Sequence, residues 1–217
     1  MTAEKEMSFV IGTLKKHRSE FVAPALTEIA KERNPYKVLI SCILSLRTRD
    51  ETTARVSESL YKVADNPKDI ANLPLKKLSA IIRPVNYYKT KAVRIREMSR
   101  IIHGNSDKVP DTMEGLLALK GVGRKTANIV LVYGFNYHGI PVDTHVHRVS
   151  NRLGWTTTKT PEKTEAELRR ILPKKYWMDL NDLFVQFGQN ICAPQRPKCE
   201  KCPLTKHCKY YKYKNKR

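Results

Sequence analysis

The sequence predicts an all-α fold on three observations. Apolar residues recur at helical spacing in one segment after another, Pro, Gly and Asn punctuate those segments, and no convincing run of alternating strand residues occurs. At 217 residues the chain is long enough for one domain, or two small ones, with a real core. Asn34-Pro35 opens the first strongly marked helix, because Pro is tolerated in a first turn. Val38, Leu39, Cys42, Ile43 and Leu46 then share a face expected to be buried. Arg47-Thr48-Arg49 interrupts, and Asp50 is placed as the cap of a helix carrying Ala54, Val56, Leu60 and Val63. Further helices are expected over residues 75–82, 91–102 and 112–119, with Asp111 and Glu114 read as a capping box. Beyond the Gly121-Val122-Gly123 turn, residues 127–132 read as a buried helix. One helix is placed after Asp143 and another after Thr160-Pro161, and Leu180, Leu183, Phe184, Phe187 and Ile191 form the last apolar stripe. The tail from Lys209 mixes Tyr210, Tyr211 and Tyr213 with five cations, which suits disorder or contact with a nucleic acid.

Charge points to the partner. The 41 Lys and Arg against 21 Asp and Glu leave a net +20, and a thermophile-type surface mixes both signs more evenly. An excess of this size favours a polyanion, since Lys and Arg bind phosphates and release condensed counterions. No apolar stretch reaches the roughly 18 residues of a membrane span, and the first residues lack a secretory pattern. An intracellular, DNA-associated monomer is expected, in a compartment where structural disulfides are rare.

The most informative segment is Leu119-Lys120-Gly121-Val122-Gly123-Arg124-Lys125-Thr126-Ala127. Two glycines around one apolar residue permit a tight turn between helices, and exposed amides at such a turn make a phosphate site. A P-loop is excluded because Arg124, not Gly, precedes the lysine; a dinucleotide fingerprint is excluded because Thr126 stands where its third Gly belongs. Lys125 falls in the first turn of the next helix. The positive end of the helix dipole and partial burial would both favour its neutral, nucleophilic amine, unless a nearby base takes the proton. Asp143, in Val142-Asp143-Thr144-His145, is a candidate for that base and equally for an ordinary helix cap. His145 and His147 lack metal-site spacing and are assigned to the surface or to phosphate contact.

Cys42 lies in an apolar helical stretch and reads as core. Cys192, Cys199, Cys202 and Cys208 follow C-x6-C-x2-C-x5-C, a structural metal centre in an intracellular protein. Spacing alone leaves zinc and a 4Fe–4S cluster both open.

Taken in order, LKGVGRKTAN at 119–128, VDTH at 142–145 and the four cysteines resemble the endonuclease III family of DNA glycosylases, from about Asn34 to Cys208. That resemblance implies a helix-hairpin-helix glycosylase fold. It places a six-helix barrel at 28–137, and a 4Fe–4S cluster domain at 1–27 and 138–217. It implies a bifunctional DNA glycosylase and AP lyase acting on oxidised pyrimidines in duplex DNA, with Lys125 as the nucleophile, Asp143 assisting, and the four cysteines holding the cluster. DNA contact is implied for Gly121, Val122, Gly123 and Lys120, the last standing where the family often has Pro. Arg47 falls where the bacterial type has a glutamine that fills the gap left by the flipped base, and Tyr87 matches a second intercalating position. Phe187 and Gln189 replace a common His and a basic residue of the family. Arg47 also keeps open a mismatch-specific enzyme of the same superfamily, and the charge alone is compatible with a non-catalytic DNA-binding module.

Overall fold

The structure, a computed structural model, describes residues 2–21 and 24–214. Among these, no strand occurs. The helices are α1 (Ala3–Lys16), α2 (Ala25–Ala30), α3 (Pro35–Ser45), α4 (Asp50–Tyr61), α5 (Pro67–Asn72) and α6 (Leu75–Ile81). There follow α7 (Tyr88–Gly104), α8 (Met113–Leu117), α9 (Arg124–Ile129), α10 (Thr144–Leu153), α11 (Pro161–Ile171), α12 (Trp177–Asn190) and α13 (Lys209–Lys214). Two compact units result, one of Ala25–Tyr137 and one of Met1–Pro24 with His138–Arg217. Among the described residues no helix is long and apolar enough to cross a membrane.

In the unit Ala25–Tyr137, α3 is the centre. Asn34 begins it, its side-chain oxygen accepting the amides of Tyr36 at 3.0 Å and Lys37 at 3.1 Å, which satisfies two of the orphan donors of a helix start. Tyr36 and residues 38–44 are all buried, as expected of a helix apolar on every side. It packs against α2, α4, α7, α9 and the π-helical segment Val130–Gly134 that continues α9. Its Ile40, Ile43 and Leu44 meet a core that includes Leu60, Ile70, Leu78, Ile82 and Ile95.

In the other unit, α1 packs on α12, and α10 packs on α11, α12 and α13. Val10, Ile11, Leu14, Val146, Val149, Leu168, Leu180 and Phe184 make its core, with the Trp155 and Phe184 rings 5.4 Å apart.

Several expectations are corrected. Leu46 lies beyond the last turn of α3 and is exposed. Asp50 is the first residue of α4, with Arg49 in the cap position. The buried stripe of that helix runs Thr53, Val56, Ser57, Leu60, so Ala54 falls off it, and Val63 lies past the helix end. Thr112, not Asp111, caps α8, because the chain is extended there and the Thr112 hydroxyl accepts the Gly115 amide at 3.1 Å. The α-helical part after the glycine turn ends at Ile129. The tail is helical from Lys209 to Lys214 and packs on α10, which removes the disorder alternative for these residues. The rest of that basic run, residues 215–217, lies outside the described residues.

Candidate active site

Between α8 and α9 the chain turns at Gly121, whose φ of 93° is left-handed backbone that favours glycine. A Cβ there would also sit 3.1 Å from Cδ of Arg94 on α7. Val122 is 7% exposed and belongs to the core, so what it offers at this turn is backbone rather than side chain. Gly123 is the N-cap of α9, and Lys125 is the second residue of that helix, at the positive end of its dipole. Lys125 is exposed, so the burial half of the expectation is not met. Its charge nevertheless bears on buried Cys42, whose thiol is pushed up to about 12 by burial and drawn back by Lys125. Lys120 is exposed and shares a groove with Lys89, Thr90, Val93, Arg94 and Glu97.

A second feature of the same unit joins the residues after α3 to those before α7. Arg47 and Tyr87 both adopt left-handed backbone, with φ of 54° and 57°. The Arg47 guanidinium lies 5.8 Å from the Tyr87 ring centroid and donates to the Tyr87 hydroxyl at 3.3 Å. Tyr87 is 63% exposed, which removes the core reading for it, whereas Tyr88 is half-buried against the core. Asn86 ties the two loops together, its side-chain amide donating to the Arg47 carbonyl and its backbone amide to Thr48 Oγ1 at 3.3 Å. Beneath them lies a residue the sequence did not single out. Lys91 is 4% exposed, and its Nζ donates to the Leu44 and Leu46 carbonyls, both at 2.7 Å, and to Thr48 Oγ1 at 3.1 Å. Burial draws its ammonium down to about 8.

In the other unit, Asp143 is 8% exposed and caps α10, Oδ1 accepting the amides of His145 at 2.8 Å and Val146 at 2.9 Å. The capping alternative is therefore realised, and Asp143 keeps a second carboxylate oxygen that does not enter either of these two bonds. His145 and His147 are both half-buried and hydrogen-bonded within this unit. His147 Nδ1 meets Thr164 Oγ1 at 2.6 Å, and His145 Nδ1 meets Arg148 Nη2 at 3.0 Å.

Cys192, Cys199, Cys202 and Cys208 line one pocket, walled by Val149, Leu153, Phe187, Ile191 and Leu204. All four are free thiols. Burial pushes the Cys202 thiol up to about 11, with the other three cysteines adding to the rise. Phe187, one of the residues that depart from the family pattern, is a wall of this pocket. Two arginines one turn apart on α10, missed in the sequence, fasten the loop that follows α12. Arg148 Nε donates to the Cys192 carbonyl at 3.0 Å. Arg152 donates to the carbonyls of Ala193 at 2.7 Å and Pro194 at 2.8 Å and to Cys192 Sγ at 3.3 Å, with its guanidinium 4.6 Å from the Tyr210 ring centroid. Among the described residues, no group of three or more His, Cys, Asp or Glu is arranged to hold a metal ion.

Residues 40–174 match the model of the HhH-GPD superfamily of base excision DNA repair proteins. The endonuclease III of Thermotoga maritima is 49% identical over 187 residues, which cover 86% of this chain and 88% of that protein. A non-covalent endonuclease III–DNA complex contains a chain of 30% identity that superposes with a TM-score of 0.86, each chain covered in full. The protein in a trapped endonuclease III–DNA covalent intermediate is 31% identical, with a TM-score of 0.83 and full coverage of both chains. This chain therefore belongs to the HhH-GPD superfamily of base excision DNA repair proteins and, within it, to the endonuclease III family of DNA glycosylases.

Proposed function

We propose that Lys125 and Asp143 carry the chemistry of this bifunctional DNA glycosylase and AP lyase, and that its substrates are oxidised pyrimidines in duplex DNA. The carrying observation is Lys125 itself, exposed in the first turn of α9 directly after a glycine turn. A chain similar over its whole length was trapped covalently on DNA. The damaged nucleotide must leave the stack before its sugar can be reached, and a damaged base leaves more cheaply than a sound one. As the C1′–N bond breaks, the base departs with the bonding electrons and positive charge develops on the sugar, which the Asp143 carboxylate stabilises. The Lys125 amine forms the new bond to C1′, and loss of a proton and opening of the sugar ring give a Schiff base. Removal of a C2′ proton then expels the 3′ phosphate by β-elimination, and hydrolysis returns the lysine.

Around this chemistry, the turn of Gly121, Val122 and Gly123 grips phosphate through the Gly121 and Gly123 amides with Lys120, while the Val122 amide closes the turn on the Leu119 carbonyl at 3.0 Å. Arg47 fills the gap left by the extruded nucleotide, where its donors suit the acceptors of the orphaned base, and Tyr87 wedges between neighbouring bases. We assign the six-helix barrel to residues 28–137 and the cluster domain to 1–27 and 138–217. We assign a 4Fe–4S cluster to Cys192, Cys199, Cys202 and Cys208. In support, the four thiols share one apolar-walled pocket, and the choice of iron–sulfur over zinc rests on the resemblance to the family. When bound, the cluster would cross-link the loop from Cys192 to Cys208.

Borohydride reduction on a thymine glycol duplex tests the chemistry. The protein is expected to be trapped on DNA, Lys125→Ala to abolish trapping, and Asp143→Asn, which still caps α10, to slow base release. A persistent adduct with Lys125→Ala would assign the nucleophile elsewhere.

A further inference from the structure

We infer that Lys91 is a positioning residue for lesion recognition, a buried latch that holds residues 46–48 in the shape that presents Arg47. The inference rests on the reading of Arg47 as the residue that enters the DNA. Lysine is almost never fully buried unless it is paired, and here all three ammonium donors are used on the segment where α3 gives way to the loop. Two of the acceptors are main-chain carbonyls, Leu44 in the last turn of α3 and Leu46 just past it. The last four carbonyls of a helix have no partner within it and attract cations. Lys91 itself stands in the first turn of α7, where its own helix dipole disfavours a cation. Such a placement has no benefit to α7; what it fixes lies on the opposite element.

The segment it fixes needs fixing. Leu46 and Arg47 are exposed, with no core contact to order them, and Arg47 holds a left-handed backbone at a cost for a residue with a Cβ. Lys91 grips the residues on each side of Arg47, and Asn86 grips the Arg47 carbonyl between them. The guanidinium is thereby aimed by backbone restraint together with its bond to the Tyr87 hydroxyl at 3.3 Å, at the surface. A loop ordered before DNA arrives does not have to be ordered at the expense of binding.

Lys91→Met keeps the length and removes the donors. Hydrogen exchange at residues 46–49 in the free protein is expected to rise roughly tenfold or more, the loss of charged hydrogen bonds each worth over about 1.4 kcal/mol. The preference for a duplex carrying a tetrahydrofuran abasic analogue over the same undamaged duplex should fall comparably. Trapping on a single-stranded abasic oligonucleotide, which has no partner base to displace, should be unchanged. Asn86→Ala, at an exposed position, should act in the same direction with a smaller effect, and it carries the test where Lys91→Met does not fold. Unchanged exchange and preference, or exchange that rises evenly through residues 25–137, would overturn the inference. Arg47→Ala separates the two readings. If it keeps the preference that Lys91→Met loses, the Arg47 assignment falls and the latch stands; if it loses what Lys91→Met keeps, the latch falls alone.

Discussion

The two functional regions are supported in opposite ways. In the unit Ala25–Tyr137, the features assigned to DNA are backbone shapes: the turn at Gly121 and the left-handed residues Arg47 and Tyr87, mounted on helices whose apolar faces close a core without them. In the other unit, the stretch from Cys192 to Cys208 consists of short turns, and Leu204 is its one buried apolar residue among those described. Arginine side chains reach across to it from α10, and Leu204, Cys192, Cys202 and Cys208 pack it on the core of that unit. A rigid apolar scaffold tolerates strained, exposed loops for function. A loop without its own core depends on a few polar contacts, and each of them then matters more.

That contrast can be broken most sharply at Arg152. Arg152→Ala removes two short bonds to the Ala193 and Pro194 carbonyls, a contact to Cys192 Sγ and the stack on Tyr210. With charged hydrogen bonds worth about 1.5–3 kcal/mol each, partly replaced by water, the expected cost is roughly 2–3 kcal/mol. Iron should be lost along with that stability. The wild type, purified without air, should contain iron and absorb in the visible, and zinc without iron would overturn the 4Fe–4S assignment. Retention of full iron and stability in Arg152→Ala would show that the loop is held otherwise.

The matching change in the scaffolded unit is smaller. Gly121→Ala places a Cβ on left-handed backbone, at about 1–2 kcal/mol, and the contact 3.1 Å away is to a flexible arginine that can shift. Urea unfolding should record that loss, and affinity for undamaged duplex should fall with it, because the amides around the turn would be displaced. An alanine that costs nothing would mean the turn is not what fixes the hairpin.

What was legible in the sequence was local. Asn34 as a cap depends on amides two and three residues away, and the left-handed Gly121 on the pattern of its own turn. Apolar periodicity locates the helices but not their last turns, so Leu46, expected on a buried face, and Val63, expected on the helix after Asp50, both lie past a helix end and are exposed. The cap of α8 slipped by one because Asp111 and Thr112 can both accept an amide, and only the backbone decides which is extended. Lys91 was illegible for a different reason. A lysine beside Lys89 in a basic chain reads as solvated, and its three acceptors lie 43 to 47 residues earlier. The arginines on α10 share this feature, with partners about 40 residues later. The cysteine spacing announced a metal centre yet not its identity, since zinc and iron–sulfur groups use the same thiolates.

The smallest expected effect lies at Asn34, and it tests whether the scaffold stands apart from the exposed loops it carries. Asn34→Ala leaves the Tyr36 and Lys37 amides without their side-chain acceptor, at about 1 kcal/mol. The loss falls at the start of α3, eleven residues long, while Arg47 follows its far end. Because Lys91 and Asn86 restrain that far end directly, hydrogen exchange at residues 46–49 should not change beyond the global loss of stability. The urea midpoint should drop with an unchanged slope, and iron content should stay at the wild-type level. Faster exchange at 46–49 than the global loss explains would mean that α3 transmits its fraying to the loop, and that the latch does not isolate it.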